Sequence, residues 1–94
     1  MTNVIRALNS IGKKCFVDYY YQFKECVNKH DLAQKLLKDN SSASSFSAQL
    51  TRINYAQWIF DNSQENEALK IIIESKRLGH ETILQAQRIY NATR

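Results

Sequence analysis

Hydrophobic side chains along this chain recur every three or four residues, the spacing that places them on one face of an α-helix. This pattern predicts a first helix over about residues 2–10 and a long aromatic helix over about residues 13–29. Gly12 separates the two, because glycine weakens a helix. The predicted inner faces are Val4, Ile5 and Leu8 in the first helix, and Cys15, Tyr19, Phe23 and Cys26 in the second.

Two further helices are predicted in the middle of the chain. Asp31 is a suitable N-cap for a short helix that ends before the serine-rich residues 40–45. The next helix covers about residues 45–61, and its second half, "YAQWIF", is apolar around most of its circumference. A helix of this kind is buried on two sides: either it lies at the centre of the fold, which is the arrangement we predict, or its outer face meets a second subunit.

The last third of the chain predicts two helices separated by Gly79. Gly79 is expected to end the first of them in the left-handed conformation. Lys76 and Arg77 would then occupy its last turn, where cations suit the helix dipole. The second helix runs from about residue 80 to the end, with Ile83, Ala86 and Tyr90 as its predicted inner face.

The composition also favours helices. The 94 residues include only two glycines and no proline, whereas a sheet protein needs these residues in its tight turns. A hydrophobic fraction of 44% is typical of a globular protein. We therefore predict an all-α fold: a single domain over residues 1–94, arranged as a compact orthogonal bundle of four to five helices.

Few side chains could support catalysis or metal binding. Cys26 and His30 are four residues apart, but a structural zinc site needs four ligands and only Cys15 and His80 remain. A cysteine nucleophile needs an oxyanion hole, which glycine-rich backbone usually builds. We therefore predict no enzyme activity, no metal and no cofactor.

The sequence also bears on cellular location. No apolar run approaches the roughly 20 residues that span a bilayer, and the start of the chain lacks the apolar stretch of a secretion signal. In one continuous helix, Cys15 and Cys26 would stand about 16 Å apart along the axis, too far for a disulfide. We therefore expect a cytoplasmic protein with free cysteines and no membrane contact.

One stretch resembles the helix-turn-helix of DNA-binding proteins in its opening residues. In "SKRLGHETILQAQRI", Ser75 supplies the small residue of the first helix and Gly79 follows four positions later. The second helix should then be apolar six and nine positions after the glycine, so that it packs on the first. Gln85 and Arg88 stand there instead, which argues against DNA recognition by this unit.

A second stretch, residues 31–56, has the loose shape of a helix-turn-helix with a longer turn, and Leu37 stands where glycine is usual. Its second helix is nevertheless chemically suited to DNA. Arginine recognises guanine, glutamine recognises adenine, and hydroxyl groups at a helix N-terminus hold phosphates. The residues predicted to bind nucleic acid are Ser44, Ser45, Ser47, Gln49, Thr51 and Arg52, with phosphate contacts from Lys76 and Arg77.

These patterns lead to two hypotheses. The leading one is a small non-enzymatic module that binds double-stranded DNA, which a net charge of +4 permits. The alternative is a protein-interaction module, an adaptor, an inhibitor or a homodimer, that uses Tyr55, Trp58 and Ile59 as its contact patch. Burial of Trp58 would weaken the alternative, and pairing of Arg52 with an acid would weaken the DNA hypothesis.

Overall fold

The computed structural model of the chain describes residues 3–39 and 45–93, and the regular secondary structure in these ranges is α-helix alone. The described residues form seven helices: α1 (Val4–Ile11), α2 (Lys13–Asp18), α3 (Tyr20–Lys24), α4 (Lys29–Asp39), α5 (Phe46–Asp61), α6 (Glu65–Ile73) and α7 (His80–Thr93). The predicted all-α fold is confirmed, although the helices are more numerous than the four or five expected.

The additional helix boundaries arise where one long helix was predicted over residues 13–29. Tyr19 leaves the helical conformation, with φ −116° and ψ 23°, and α3 ends at Lys24 with Glu25 as its C-cap. Residues 17–21 are all β-branched, aromatic or acidic and have low helix propensity, so a break costs little here. Cys26 therefore lies outside the helix and shares no helical face with Cys15, and both cysteines are free.

Asparagine side chains cap two of the helices. The Oδ1 atom of Asn3 accepts the backbone N–H of Arg6 at 2.9 Å, as expected for the start of α1. At α4 the capping atom is Oδ1 of Asn28, which accepts the backbone N–H groups of His30 and Asp31 at 3.0 and 3.2 Å. The prediction of Asp31 as the N-cap is therefore wrong, since the helix begins two residues earlier and Asp31 lies in its first turn.

The two glycines behave differently. Gly12 has φ 92° and ends α1, in agreement with the predicted break. Gly79 has no positive φ, and α6 already ends at Ile73. The prediction that Gly79 is a left-handed stop is therefore wrong, and Lys76 and Arg77 lie in the connection between α6 and α7 rather than in a last helical turn.

Neither stretch with helix-turn-helix character has the short turn of that motif. The stretch that starts at Ser75 begins after α6 has ended at Ile73, so the prediction that Ser75 belongs to a first helix is wrong. Helix α4 packs on α5, and α6 packs on α7. Residues 74–79 join the second pair, a longer connection than the three or four residues of the DNA-binding motif. The first pair is joined through residues 40–45.

Helix α5 lies at the centre of the fold, as predicted. It packs against α1, α3, α4 and α6. Its fully buried side consists of Gln49, Ile53, Ala56 and Ile59, and all seven helices contribute side chains to the same core. The principal extents of 30, 27 and 26 Å are nearly equal, so the helices do not form an elongated bundle.

The buried face of α7 differs from the predicted one. Thr82, Ala86 and Ile89 are buried, whereas Ile83 and Tyr90 are only half-buried. Both patterns contain Ala86 and both have helical spacing, so periodicity alone could not distinguish them.

An aromatic cluster fills the space between α2, α3 and α5. The ring of Phe16 lies 5.5 Å from Tyr20 and 5.8 Å from Phe60, and Tyr20 is 5.2 Å from Phe60. The hydroxyl of Tyr20 is buried without a hydrogen-bond partner among the described residues. Burial, assisted by the nearby carboxylate of Glu65, raises the pKa of Tyr20 to about 12.

Replacement of Tyr20 by phenylalanine is expected to stabilise the fold by about 1 kcal/mol at neutral pH, because a buried hydroxyl without a partner loses its hydration. The pKa of Tyr20 is about 12 in the folded protein and about 10 in an unfolded chain. As the pH rises, the unfolded state therefore loses this proton first. The free energy of unfolding of the wild type should fall between about pH 10 and about pH 12, and it should fall less in Tyr20→Phe. Urea unfolding tests both effects, with the exposed Tyr21→Phe as the control. A less stable Tyr20→Phe would contradict the prediction.

The two glycines provide a matched pair of substitutions. Gly12→Ala should destabilise the fold by about 1–2 kcal/mol, because an L-residue is strained at positive φ. Gly79→Ala should be neutral or stabilise by up to about 1 kcal/mol, because a Cβ there meets no atom within 4 Å and the backbone is not left-handed. Thermal unfolding of both variants measures the difference, and equal effects would contradict the assigned conformations.

Candidate nucleic-acid interface

One side of α5 faces away from the core. Because successive helical residues are about 100° apart, Ser47, Thr51, Asn54, Tyr55 and Trp58 share this side, which we call the α5 face. Each of these residues is exposed or half-buried. The Thr51 hydroxyl donates to the backbone carbonyl of Ser47 at 3.1 Å, so its lone pairs stay directed outward. Of the predicted nucleic-acid ligands, Ser47 and Thr51 therefore lie on an accessible surface.

The N-terminus of α5 begins as predicted. Ser45 has extended backbone, and its Oγ accepts the backbone N–H of Ala48 at 3.3 Å, which makes it the N-cap. Its hydroxyl is therefore engaged in the helix start. Ser44, the neighbouring predicted ligand, lies outside the described residues.

Two predicted site residues belong to the core instead. Gln49 is 0% exposed, and its Oε1 accepts a hydrogen bond from Nη1 of Arg52 at 3.2 Å. The prediction that Gln49 is available to contact nucleic acid is wrong, because it is on the same buried side of α5 as Ile53. Ile59 is also 0% exposed, packed under the neighbouring helices, so it cannot belong to a contact patch.

Arg52 occupies the boundary between the core and the surface. It is half-buried, and no ion pair with an acid is present within the described parts of the chain. A guanidinium carries five N–H donors, so the bond to Gln49 leaves others available. Arg52 thus remains a cation that an external anion can contact.

A shallow surface pocket is lined by residues from several separate segments, among them three cations. We call it the basic pocket. Lys13 and Lys14 come from α2, Arg52 from α5, and Leu78 from the connection between α6 and α7. Asp18 also lines the pocket and pairs with Lys14, with 2.6 Å between Nζ and Oδ2, and this bond raises the pKa of Lys14. Lys13 and Arg52 are left as the cations of the basic pocket without an acidic partner among the described residues.

The predicted phosphate ligands in the connection are close to this pocket along the chain. Lys76 and Arg77 directly precede Leu78, and both side chains are exposed. Leu78 packs partly against the core and so fixes this end of the connection. The basic pocket and the two cations therefore lie on neighbouring parts of the surface.

Cys15 also lines the basic pocket. Burial raises the pKa of its thiol, and the positive charge of Arg52 offsets only part of this effect. The thiol therefore stays protonated at neutral pH, and a protonated thiol is a poor nucleophile.

Another cation lies at the edge of the α5 face. Nζ of Lys29, at the start of α4, donates to Oδ1 of Asn54 at 3.1 Å. Beside this bond, Thr51, Asn54, Tyr55 and Trp58 line a surface groove, which we call the α5 groove. The sequence alone does not identify Lys29 as a residue of this site, because 25 residues separate it from Asn54 and the packing of α4 on α5 brings them together.

Other kinds of site receive no support from the described residues. No three His, Cys, Asp or Glu side chains among them lie together as a metal site requires. None of the helices in residues 3–39 and 45–93 has the length and apolarity to cross a membrane. Comparison of the chain with protein-family models, with curated proteins and with solved structures finds no match.

The burial of Gln49 makes a prediction about stability. Gln49→Ala should destabilise the fold by about 1–3 kcal/mol, because it removes a buried, hydrogen-bonded side chain and leaves a cavity. Ser47→Ala, one turn away on the exposed side, should change stability by less than about 0.5 kcal/mol. Urea unfolding of both variants tests this difference. Equal stabilities would mean that Gln49 is on the surface after all.

Proposed function

We propose that this protein is a small nucleic-acid-binding module that contacts its ligand with the α5 face. The observation that carries the proposal is a set of cations around α5: Lys29 bonds Asn54 on the α5 face, and Arg52 of the same helix lines the basic pocket with Lys13. The α5 face itself carries hydroxyl, amide and aromatic side chains. This combination suits a polyanion whose bases lie on the helix while its phosphates meet the flanking cations.

The same geometry argues against extensive reading of base sequence. Gln49 is buried, and Arg52 is held at the edge of α5 by its bond to Gln49. Asn54 is the remaining base-reading side chain on the α5 face, and its carbonyl oxygen is occupied by Lys29. Phosphate contacts should therefore supply most of the binding free energy, with a modest sequence preference.

A protein-interaction module is the second candidate. It is favoured by the half-buried Tyr55 and Trp58, which lie together on the α5 face as the centre of a contact patch would. Because Ile59 is buried in the core, this patch is smaller than expected. A homodimer through the same patch is one form of this candidate.

The leading proposal predicts salt-dependent binding of a nucleic acid that requires the flanking cations. In fluorescence-anisotropy titrations, the affinity for a random-sequence oligonucleotide should fall steeply with salt, because bound cations release counterions. The double variant Lys13→Gln, Lys29→Gln should weaken binding and reduce the slope of log K against log salt by about 2.

Lys70 provides the matched control, since it is an exposed lysine of α6 beside Tyr90 rather than beside α5. Lys70→Gln together with Lys35→Gln removes the same total charge, and neither of these exposed lysines lines the basic pocket or the α5 groove. The proposal fails if no oligonucleotide binds at about 50 mM salt, or if the control lowers affinity and slope as much as the test variant.

A further inference from the structure

The α5 groove contains two aromatic rings without ring partners. The rings of Tyr55 and Trp58 contact no other aromatic ring in the described parts of the chain, unlike Phe16, Tyr20 and Phe60 inside the core. Both side chains are half-buried, so the core holds one part of each while the remainder faces the groove. They are three residues apart and lie side by side on the helix surface.

The polar groups of the groove are placed beside these rings. Lys29 bonds the side-chain carbonyl oxygen of Asn54. The amide nitrogen of the same side chain makes no hydrogen bond with the described residues. The Thr51 hydroxyl oxygen can still accept a hydrogen bond. The groove thus offers a donor and an acceptor next to aromatic surface, the combination that a nucleobase edge and face require.

The electrostatic setting favours an anionic ligand. No acidic residue lines the α5 groove among the described residues, and the ammonium group of Lys29 stands at its edge. The chain as a whole carries a net charge of +4. A phosphate that follows a base in the groove would therefore meet a cation and no opposing carboxylate.

We infer that the α5 groove binds unpaired bases of a single-stranded nucleic acid, stacked on Trp58 and Tyr55, with Lys29 on the adjoining phosphate. This inference rests on the proposed function and specifies its ligand. A duplex keeps its base faces stacked on one another, so half-buried rings in a groove cannot reach them, whereas a single strand exposes every base face.

The size of the groove agrees with this ligand. Thr51 and Trp58 are seven residues apart, about 10 Å along the helix axis. Bases stacked at about 3.4 Å would place two or three nucleotides over this distance. The occupant is therefore a short segment of strand rather than one isolated nucleotide.

Trp58 reports on its own surroundings, because it is the single tryptophan of the chain. Titration of the full chain with oligo(dT) of about twelve nucleotides should quench its fluorescence and bind more tightly than a duplex of equal length. Tyr55→Leu retains the reporter and should weaken oligo(dT) binding by at least about fivefold, since base stacking contributes to affinity. Trp58→Leu, followed by anisotropy, should have a similar effect.

The control is Tyr21→Leu, which removes an aromatic ring that is 45% exposed on α3, away from the α5 groove. Its oligo(dT) affinity should equal that of the wild type. Because Trp58 also packs on the core, circular dichroism checks that each variant is folded, and Tyr55→Leu tests the inference even if Trp58→Leu unfolds.

The outcomes separate this inference from the proposed function. Salt-dependent binding of a duplex as tight as that of oligo(dT), with Trp58 fluorescence unchanged, would overturn the inference and leave the proposed function intact. No binding of either oligonucleotide would overturn both and leave the α5 groove to a protein partner. Quenching by oligo(dT) that Tyr55→Leu weakens and Tyr21→Leu does not would support the inference.

Discussion

The packing of one side of α5 against four other helices is the constraint on which the rest of the structure depends. Ile53, Ala56 and Ile59 are fully buried on this side, and burial of such side chains contributes about 1.5–3 kcal/mol each for the larger ones. Because the core fixes the rotation of α5, it also fixes which residues face outward. The α5 face therefore has a defined composition and position before any ligand arrives.

The same packing brings cations from other helices close to α5. Helix α4 packs on α5 and carries Lys29 to Asn54, while α1 packs on α5 and leads into α2, whose Lys13 lines the basic pocket together with Arg52. The bond from Arg52 to the buried Gln49 attaches a surface guanidinium to the core. Burial of a polar side chain costs free energy unless the side chain forms hydrogen bonds. The bond between Gln49 and Arg52 therefore both offsets the cost of burying Gln49 and restrains the position of Arg52.

Some local features of this fold could be predicted from the sequence, whereas the break at Tyr19 and the helix ends near Asp31 and Gly79 could not, and neither could features that depend on packing. The break at Gly12, the cap at Ser45 and the central position of α5 follow from residue type and periodicity within one segment. Gln49 was misplaced because a polar residue on the core side of a helix gives the same pattern as one on the surface. The contact of Lys29 with Asn54 depends on two helices meeting, which neither helix encodes alone.

The hydrogen bonds of Arg52 and Lys29 also bear on the entropy cost of the proposed binding. Arginine and lysine side chains are long, and fixing a free one in a complex costs roughly 0.5–1.5 kcal/mol. Arg52 already bonds Gln49 and Lys29 already bonds Asn54, so part of this ordering has occurred in the unbound protein. Tyr55 and Trp58 are likewise held by the core on one side. If the α5 face binds a polyanion as proposed, these side chains lose little conformational freedom on binding, and this compensates in part for the small number of cations.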